Sequence, residues 1–529
     1  MSFRYRCGLA AITLLALVVR LVIGWRMPLL GDEIGTWMYM EHDYRFLLTS
    51  FRDPWLSMGP FIAATKYWST WFGTDPLVLR IPVMVASSLA APMAAVVLLR
   101  LRGTPSMVLL AALLVALNPY LVSFGVTLRS YAMVVFVSLA ALNALLRWID
   151  RPGWGHGVRC AGWCAAGLLA HLCFLYFLVF LGCVLLVDRW RLVRDLGWPS
   201  VIRGVASLAV PVALSVGLAG LSYWPQRVDM ARFKAAWSGT SPTLPTYLPY
   251  AMDYYFASGW LLVPSMVLLA AGWLLAVQRR RFLALIVGAG ALIPVFLYAA
   301  SGSQHLPWGS ARFLIYMLPL LLIQISVGVV DLSSSKGKRL VMGAILLASW
   351  VPGLQELYRT GGEQPWGAVA SQLREWSRPG DAILVPGNKH LALLPFFKDV
   401  PDRLTFAEHY LDENASSSTD SGHRLFLVIT MPWKTSRPSL QRGTIHATLY
   451  AEHDRHAAAA ALVRDLLDNL NGRANPELVP VIQYGLALME ALDWDAAERL
   501  ATQRLYYHSI IQGRDGLFLP PVQRAIRYP

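Results

Sequence analysis

The chain has 529 residues, of which 56% are hydrophobic and 15% are charged, with a mean hydropathy of +0.47. A soluble domain does not need this much apolar content, whereas a polytopic α-helical membrane protein does. The formal net charge is +14, but the tail from Gln355 onward holds 18 Lys and Arg against 20 Asp and Glu. The positive surplus therefore belongs to the membrane half, where basic residues mark cytoplasmic loops. We expect membrane lipids, and no nucleic acid, as partners of this charge.

The N-terminus is basic, MSFRYRC, and is followed by an apolar run that Arg20 interrupts. No small-residue cleavage site follows cleanly, so we interpret the run as an uncleaved first membrane span. An ionisable residue inside a span is a functional candidate by default. The alternatives for Arg20 are snorkelling to the interface and pairing with a neighbouring helix.

Apolar segments of about 20 residues, enough to cross roughly 30 Å of hydrocarbon, recur through the first two thirds of the chain. The segment 161–187 is too long for one upright helix, and a single crossing would place Arg147 and Arg189 on opposite faces of the membrane. We therefore predict two short or partly inserted helices that turn near His171, and about 11 spans in total. The other predicted spans are 8–28, 78–99, 106–125, 131–148, 201–222, 260–278, 282–300, 313–330 and 339–354.

The polar tail is predicted to be a separate domain at 355–529, following a transmembrane domain at 1–354. GAVASQLREWSRPGDAILVP is typical of a helix, a turn and a buried strand, and HRLFLVITMPW is typical of another strand. The tail is therefore expected to be α/β to about residue 450. Helical periodicity in NPELVPVIQYGLALMEALDWDAAERLATQRL predicts a helical end. Span parity places the tail and the first loop, 26–77, on the same non-cytoplasmic face.

Two adjacent carboxylates, Asp32 and Glu33, follow the first span in the stretch PLLGDEIGTWMY. They lie about one helical turn beyond the hydrocarbon, at the depth of the lipid headgroups. One interpretation is a solvated pair that opens a loop or caps a helix. The other is a catalytic base, because a partly dehydrated site raises the pKa of a carboxylate and makes it a better proton acceptor.

Two arginines on the same face begin later spans, Arg129 in LRSYAM and Arg312 in GSARFLIYMLPL. Arginine suits a phosphate because its planar fork donates two aligned hydrogen bonds and stays charged. The alternative is interfacial anchoring. His171 and His305 are candidate substrate-binding residues, with packing or hydrogen bonding as the alternative. No His, Cys or Asp cluster has metal-ligand spacing, and no nucleotide-binding glycine loop is present.

These segments together resemble a known class of enzyme. GDEIGTW after the first span, GPFIAATKYWSTWFGTDPLVLRIP, NPYLVSFGVTLRSYAM, AHLCFLYF and ARFLIYMLPLL are similar to the integral-membrane glycosyltransferases of the GT-C class. The similarity is greatest to the group that includes protein mannosyltransferase-like, aminoarabinose and galacturonic acid transferases. It covers about residues 8–330.

The resemblance implies transfer of one sugar from a polyprenyl-phosphate donor to an acceptor hydroxyl at the periplasmic face of the bacterial inner membrane. It implies Asp32 as the base with Glu33 beside it, and donor-phosphate binding by Arg129, Tyr131 and Arg312, with Lys66 as a further basic contact. The acceptor is an envelope glycan, a lipid or a protein. The expected displacement is single and inverting, with no certain cofactor beyond the lipid-linked donor.

The chain also departs from the family pattern. Thr127 stands where the family often has an acid two residues before the arginine of Arg-x-Tyr, so a divalent metal has no support from this motif. Two other functions remain open at the level of sequence. One is a polysaccharide polymerase or ligase that uses a lipid-linked glycan, and the other is a lipid or solute transporter, which would be expected to show repeats and charges near the midplane.

Overall fold

The computed structural model describes residues 3–223 with gaps at 28, 30–31, 50–57 and 197, then 262–279, 312, 314–362 and 374–375, and five strands between 382 and 509. Contacts divide the chain into two compact units. The first is Met1–Met27, Gly35–Gly361 and Arg437–Leu440, and the second is Pro28–Ile34, Gly362–Ser436 and Gln441–Pro529. The domain boundary at 354/355 stays a prediction.

The first unit is built from helices. In the part of the chain described, four helices are long and apolar enough to cross a membrane, or five if one bent pair is counted as a single span. This confirms a polytopic helical membrane protein, while the count of about 11 stays a prediction because the predicted span 282–300 lies outside the described residues. The four are Phe3–Trp25, Pro76–Arg100, Tyr131–Asp150 and Ile315–Leu332.

The first loop, 26–77, is not a simple connection, because it contains three short helices. Helix α1 (Phe3–Arg26) is followed by α2 (Asp32–Tyr39), α3 (Tyr44–Thr49) and α4 (Gly59–Phe72). Helix α5 (Pro76–Arg100) then begins at an Asp75 cap, whose carboxylate accepts the backbone N–H groups of Leu77 and Val78. An N-cap carboxylate satisfies donors that have no partner inside the helix.

The predicted span 106–125 is observed as a bent pair of helices, which together are apolar and long enough to count as one broken span. Helix α6 (Pro105–Leu117) and helix α7 (Pro119–Gly125) meet at Asn118 with a bend of 55°. Proline has no N–H to continue the helical ladder, and the Asn118 side chain instead accepts the N–H of Leu121. The Asn-Pro pair in the sequence is a known signal for such a break.

The turn predicted near His171 is confirmed. Helix α8 (Tyr131–Asp150) is followed by α9 (Trp154–Ala170) and α10 (Phe174–Leu196), and His171 is the extended residue that ends α9. Three further helices are described, α11 (Trp198–Tyr223), α12 (Leu262–Arg279) and α13 (Leu318–Leu332), the last preceded by a 3-10 turn. Helix α14 (Lys336–Gly362) follows.

The core of the first unit lies along α8. This helix packs against α5 on one side and α9 on the other, and α1 packs against α5 and α6. Because α8 and α13 are apolar around most of their circumference, they are enclosed by other helices. The N-terminal end of α8, which carries the Arg-x-Tyr motif, is therefore fixed by several neighbours.

The second unit contains a five-stranded sheet in the order β2-β1-β3-β4-β5. The strands are β1 (Ala382–Val385), β2 (Leu404–Phe406), β3 (Leu425–Pro432), β4 (Thr444–Ala451) and β5 (Tyr506–Ser509). Strand β1 pairs parallel with β2 and β3, while β4 pairs antiparallel with β3 and β5.

The sheet confirms the two strands predicted from AILV and LFLVIT and corrects the prediction of a helical end at one place. Tyr506–Ser509 are extended and pair with Ala447–Tyr450. The pair of tyrosines that opens this segment favours a strand, since aromatic residues pack well across a pleated sheet. The predicted helical stretch 475–505 lies outside the described residues.

Candidate active site

Arg129 lies in the short turn between α7 and α8 and is almost fully buried, with 6% of its surface exposed. The turn is tied to α7 because the Thr127 hydroxyl donates to the carbonyl of Ser123 at 2.8 Å. The Arg129 backbone N–H donates to the Thr127 carbonyl at 2.7 Å. At the other end of the side chain, an Nη atom donates to the hydroxyl of Thr36 at 3.4 Å. The guanidinium is thus held between the turn and α2.

Tyr131 is the first residue of α8 and connects the other predicted residues of the site. Its ring centroid lies 5.2 Å from that of Phe124 in an edge-on contact and 5.1 Å from that of His171. The Arg312 guanidinium carbon lies 5.9 Å from the centroid of the same ring. A guanidinium at this distance from an aromatic face is attracted by the ring quadrupole.

His171 is a neutral member of this cluster. Its Nδ1 accepts the backbone N–H of Cys173 at 3.0 Å, so the ring proton resides on Nε2. Burial, followed by the positive charges of Arg129 and Arg312, lowers the pKa of His171 from its ordinary value. The ring is therefore a neutral donor placed within the field of two guanidinium groups.

The structure thus brings together four of the residues predicted from sequence: Arg129, Tyr131, His171 and Arg312. Two of them, Arg129 and Arg312, come from positions far apart in the chain, and both charges act on the same imidazole. Each guanidinium stays charged and offers several aligned N–H donors. The arrangement is therefore suited to an anion with a delocalised charge, such as a phosphate ester.

The two acids begin α2, the helix that also carries Thr36. Glu33 is buried, with 2% of its surface exposed, whereas the side chain of Asp32 lies outside the described part of the structure. Glu33 and Thr36 are three positions apart, which is the spacing of neighbours on one face of a helix. The role of each acid stays a prediction.

Lys66 and His305 are not part of the described cluster. The Lys66 ammonium on α4 donates to the carbonyl of His42 at 2.6 Å and lies 5.2 Å from the ring centroid of Tyr44. These contacts hold the first loop together. His305 lies outside the described residues, so its predicted role in substrate binding stays a prediction.

Arg80 is a residue whose contribution sequence reasoning missed. It is fully buried on α5, and its Nη1 donates to the carbonyls of Met27 and, at 3.5 Å, Gly24. These carbonyls lie at and just beyond the end of α1, where the regular ladder of backbone hydrogen bonds stops. Arg80 therefore fixes the point from which the chain continues toward Asp32. A basic residue one turn into a span, in the stretch PLVLRIP, was the available signal.

The side chains near Arg129 also show which groups are available to bind a metal ion. Thr127, which replaces the acid frequent in the family, uses its hydroxyl to bind a helix carbonyl. Among the residues that the structure describes, no group of three or more His, Cys, Asp and Glu side chains is arranged to hold a metal ion.

The fold has counterparts among solved structures. ArnT from Cupriavidus metallidurans in the apo state is 17% identical, with a TM-score of 0.52, and the match covers 79% of this chain and 92% of that chain. ArnT bound to undecaprenyl phosphate is 16% identical with a TM-score of 0.51, over 81% of this chain and 94% of that chain. The sequence itself matches no protein-family model and no curated protein. The predicted GT-C fold is confirmed by these superpositions.

Proposed function

We propose that this chain, which has the GT-C fold, is a glycosyltransferase that takes one sugar from a polyprenyl-phosphate donor. The observation that carries the proposal is one cluster in which Arg312 lies over the Tyr131 ring, Tyr131 contacts neutral His171, and the charges of Arg129 and Arg312 both act on His171. Two guanidinium groups and a neutral N–H donor form a suitable cradle for a phosphate that stays attached to a lipid. Further support comes from ArnT, which has the same fold and has been crystallised with undecaprenyl phosphate.

In the proposed reaction, an acceptor hydroxyl attacks the anomeric carbon of the donor sugar. A new carbon–oxygen bond forms there while the bond to the phosphate oxygen breaks, and the electron pair leaves with the polyprenyl phosphate. The hydroxyl proton passes to the carboxylate of Asp32, with Glu33 beside it. One displacement inverts the configuration at the anomeric carbon.

The arginines act on the leaving group in this mechanism. Negative charge grows on the phosphate as the bond breaks, so fixed cations stabilise the transition state more than the bound donor. Contacts of this kind commonly contribute a few kcal/mol each. We place the site at the non-cytoplasmic face, as the distribution of basic residues predicts. The resemblance to the GT-C class makes this the periplasmic face of the bacterial inner membrane, with an envelope glycan, lipid or protein hydroxyl as acceptor.

The test is a transfer assay with the purified full-length protein in nanodiscs. The donors are undecaprenyl phosphates that carry a hexose, a uronic acid or an aminopentose, and the acceptor is an envelope extract. We expect released undecaprenyl phosphate and a gain of one sugar mass in the acceptor, both measured by mass spectrometry. Wild-type protein that turns over none of these donors would contradict the proposal, and a requirement for a lipid-linked oligosaccharide would favour a polymerase or ligase.

The proposed role of the Asp32 carboxylate as general base is tested in the same assay with Asp32→Asn. We expect transfer to fall by at least about 100-fold, because general-base catalysis contributes roughly 10²–10⁴-fold, while donor binding is retained. Glu41→Gln is the matched control, since it removes an exposed carboxylate from the same loop. Equal turnover by Asp32→Asn and Glu41→Gln would remove Asp32 from the mechanism, and the same measurement on Glu33→Gln then decides whether its neighbour is the base.

A further inference from the structure

Arg20 lies deep in the first span, yet it is fully buried in protein and not exposed to lipid. It connects three helices. Its Nε donates to the hydroxyl of Ser87 on α5 at 2.7 Å, and Nη1 donates to the carbonyls of Ala16 on α1 and Ala116 on α6, each at 2.9 Å. Snorkelling, one of the alternatives drawn from the sequence, is thereby excluded for this side chain.

The Ala116 carbonyl is adjacent to the break between α6 and α7. The backbone hydrogen bonds of α6 continue to Asn118, whose N–H donates to the Leu114 carbonyl. Those of α7 begin at Val122, whose N–H donates to the Asn118 carbonyl. Pro119 lies between them and has no N–H. An unsatisfied carbonyl in the hydrocarbon region is costly, so a charged side chain that donates to a carbonyl at this break stabilises the bent arrangement.

Arg20 also contacts the other end of α7. A Cβ atom built on Gly125, the last residue of α7, would lie 2.7 Å from the Arg20 Nε and would overlap the Ser87 hydroxyl. Only glycine therefore lets the end of α7 approach this pair so closely. One guanidinium thus binds the last turn of α6, just before α7 begins, and lies against the last residue of α7.

The position of α7 determines the position of Arg129. The turn after Gly125 is hydrogen-bonded to α7 at two points: the Val126 N–H donates to the Val122 carbonyl, and the Thr127 hydroxyl donates to the Ser123 carbonyl. The Arg129 N–H in turn donates to the Thr127 carbonyl. A displacement of α7 is therefore passed along this turn to the Arg129 backbone.

We propose that Arg20 is a positioning residue that holds α7 through the end of α6 and through Gly125, and so places Arg129 for binding of the donor phosphate. The proposal rests on the proposed function, since it assigns Arg129 to the phosphate. Arg20 itself does not contact the substrate. It acts through helix geometry, which gives an intramembrane arginine a role without requiring an acidic partner for it.

The sharpest test is Gly125→Ala, because a single methyl group pushes Arg20 and Ser87 away from the end of α7. The matched control is Gly162→Ala on the exposed side of α9, where a Cβ would meet nothing within 4 Å. We measure the affinity of each variant in nanodiscs for undecaprenyl phosphate by native mass spectrometry, together with kcat/KM for transfer. Small misplacements of binding groups commonly cost about tenfold to 100-fold, so we expect at least a tenfold loss for Gly125→Ala and no loss for Gly162→Ala.

A double-mutant cycle separates positioning from a merely structural role. If Gly125→Ala acts by displacing Arg129, then Arg129→Lys must cost much less in the Gly125→Ala background than in the wild type. Equal costs in the two backgrounds, or wild-type affinity in Gly125→Ala, would overturn the inference. Arg20→Lys provides a second variant, and it is expected to lose affinity because one ammonium cannot span the same three acceptors.

The proposed function and this inference fail in different ways. Wild-type protein that binds undecaprenyl phosphate but transfers no sugar would reject the proposed function, while the affinities of the variants would still support or overturn the role of Arg20. Wild-type transfer with unchanged binding and turnover in Gly125→Ala would leave the proposed function intact and reject the inference.

Discussion

The two ends of α8 each place an arginine against an aromatic ring, but they do so in different ways. At the C-terminal end, the Arg189 guanidinium carbon lies 4.4 Å from the centroid of the fully buried Trp148 ring, and Arg189 is 3.2 Å from the carboxylate of Asp188. The Trp148 indole N–H donates to the Ser207 hydroxyl at 2.9 Å. The cation has a counter-ion next to it in sequence, and the ring has a hydrogen-bond acceptor.

At the N-terminal end, the aromatic residue is Tyr131 and the cations come from distant parts of the chain. Arg312 faces the ring, and its charge and that of Arg129 both act on His171. The ring at the C-terminal end lies beside a cation that has an adjacent carboxylate, whereas the ring at the N-terminal end belongs to a cluster with His171 and arginines from distant segments. The comparison teaches that an arginine beside an aromatic ring serves packing at one end of α8, while under the proposed function it serves donor binding at the other.

The largest difference between the two ends is expected for alanine substitutions of their arginines. Arg129→Ala removes a donor to the leaving phosphate, and we expect transfer to fall by about 100-fold or more with the fold retained. Arg189→Ala is expected to leave the rate per folded molecule unchanged and to lower thermal stability. Transfer kinetics and thermal unfolding in detergent measure the two effects. A loss of transfer in Arg189→Ala equal to that in Arg129→Ala would abolish the distinction.

A smaller effect is expected for Arg312→Gln, which keeps the approximate size of the side chain but removes its charge. The donor phosphate loses one cation and Tyr131 loses its cation–π partner, so we expect the KM for the donor to rise about tenfold, the equivalent of one charge-assisted contact. Arg159→Gln on the exposed side of α9 is the control for the loss of one positive charge. An unchanged KM in Arg312→Gln would place the phosphate elsewhere.

The smallest effect is expected for Trp148→Phe. The ring that faces Arg189 remains, while the hydrogen bond to Ser207 is lost and a buried hydroxyl is left without its donor. Such a loss costs about 1–2 kcal/mol in the free energy of unfolding. Thermal unfolding should detect it, and the transfer rate should stay that of the wild type. A large decrease in transfer would show that the two ends of α8 are coupled.

Local sequence signals predicted the main elements of the first unit. Apolar length located the spans that contain α1, α5 and α8, and the distribution of basic residues indicated the turn at His171. The same analysis put Arg129 and Arg312 at the starts of spans on one face, where both charges act on His171. The predictions of the spans and of the turn succeeded because membrane thickness and charge asymmetry act on segments of sequence independently of tertiary contacts. The shared membrane face of Arg129 and Arg312 stays a prediction.

Contacts between distant segments could not be predicted in this way. The hydrogen bond from Arg129 to Thr36 and the clamp of Arg80 on the end of α1 depend on which helices are neighbours. The bend at Asn118 had a local signal in the Asn-Pro pair, but the donation from Arg20 to Ala116 had none. Periodicity specifies the buried face of a helix, not the particular atoms that it meets.

The hydrogen bond from Cys173 to the His171 ring has a consequence for the pH–rate profile. An imidazole whose Nδ1 is already an acceptor, and which two guanidinium groups disfavour as a cation, contributes no titration step to activity near neutral pH. Under the proposed function, transfer should then decline on acidification in a single step, as the proposed carboxylate base becomes protonated. Replacing His171 with asparagine should lower the height of this profile and leave its acidic midpoint in place.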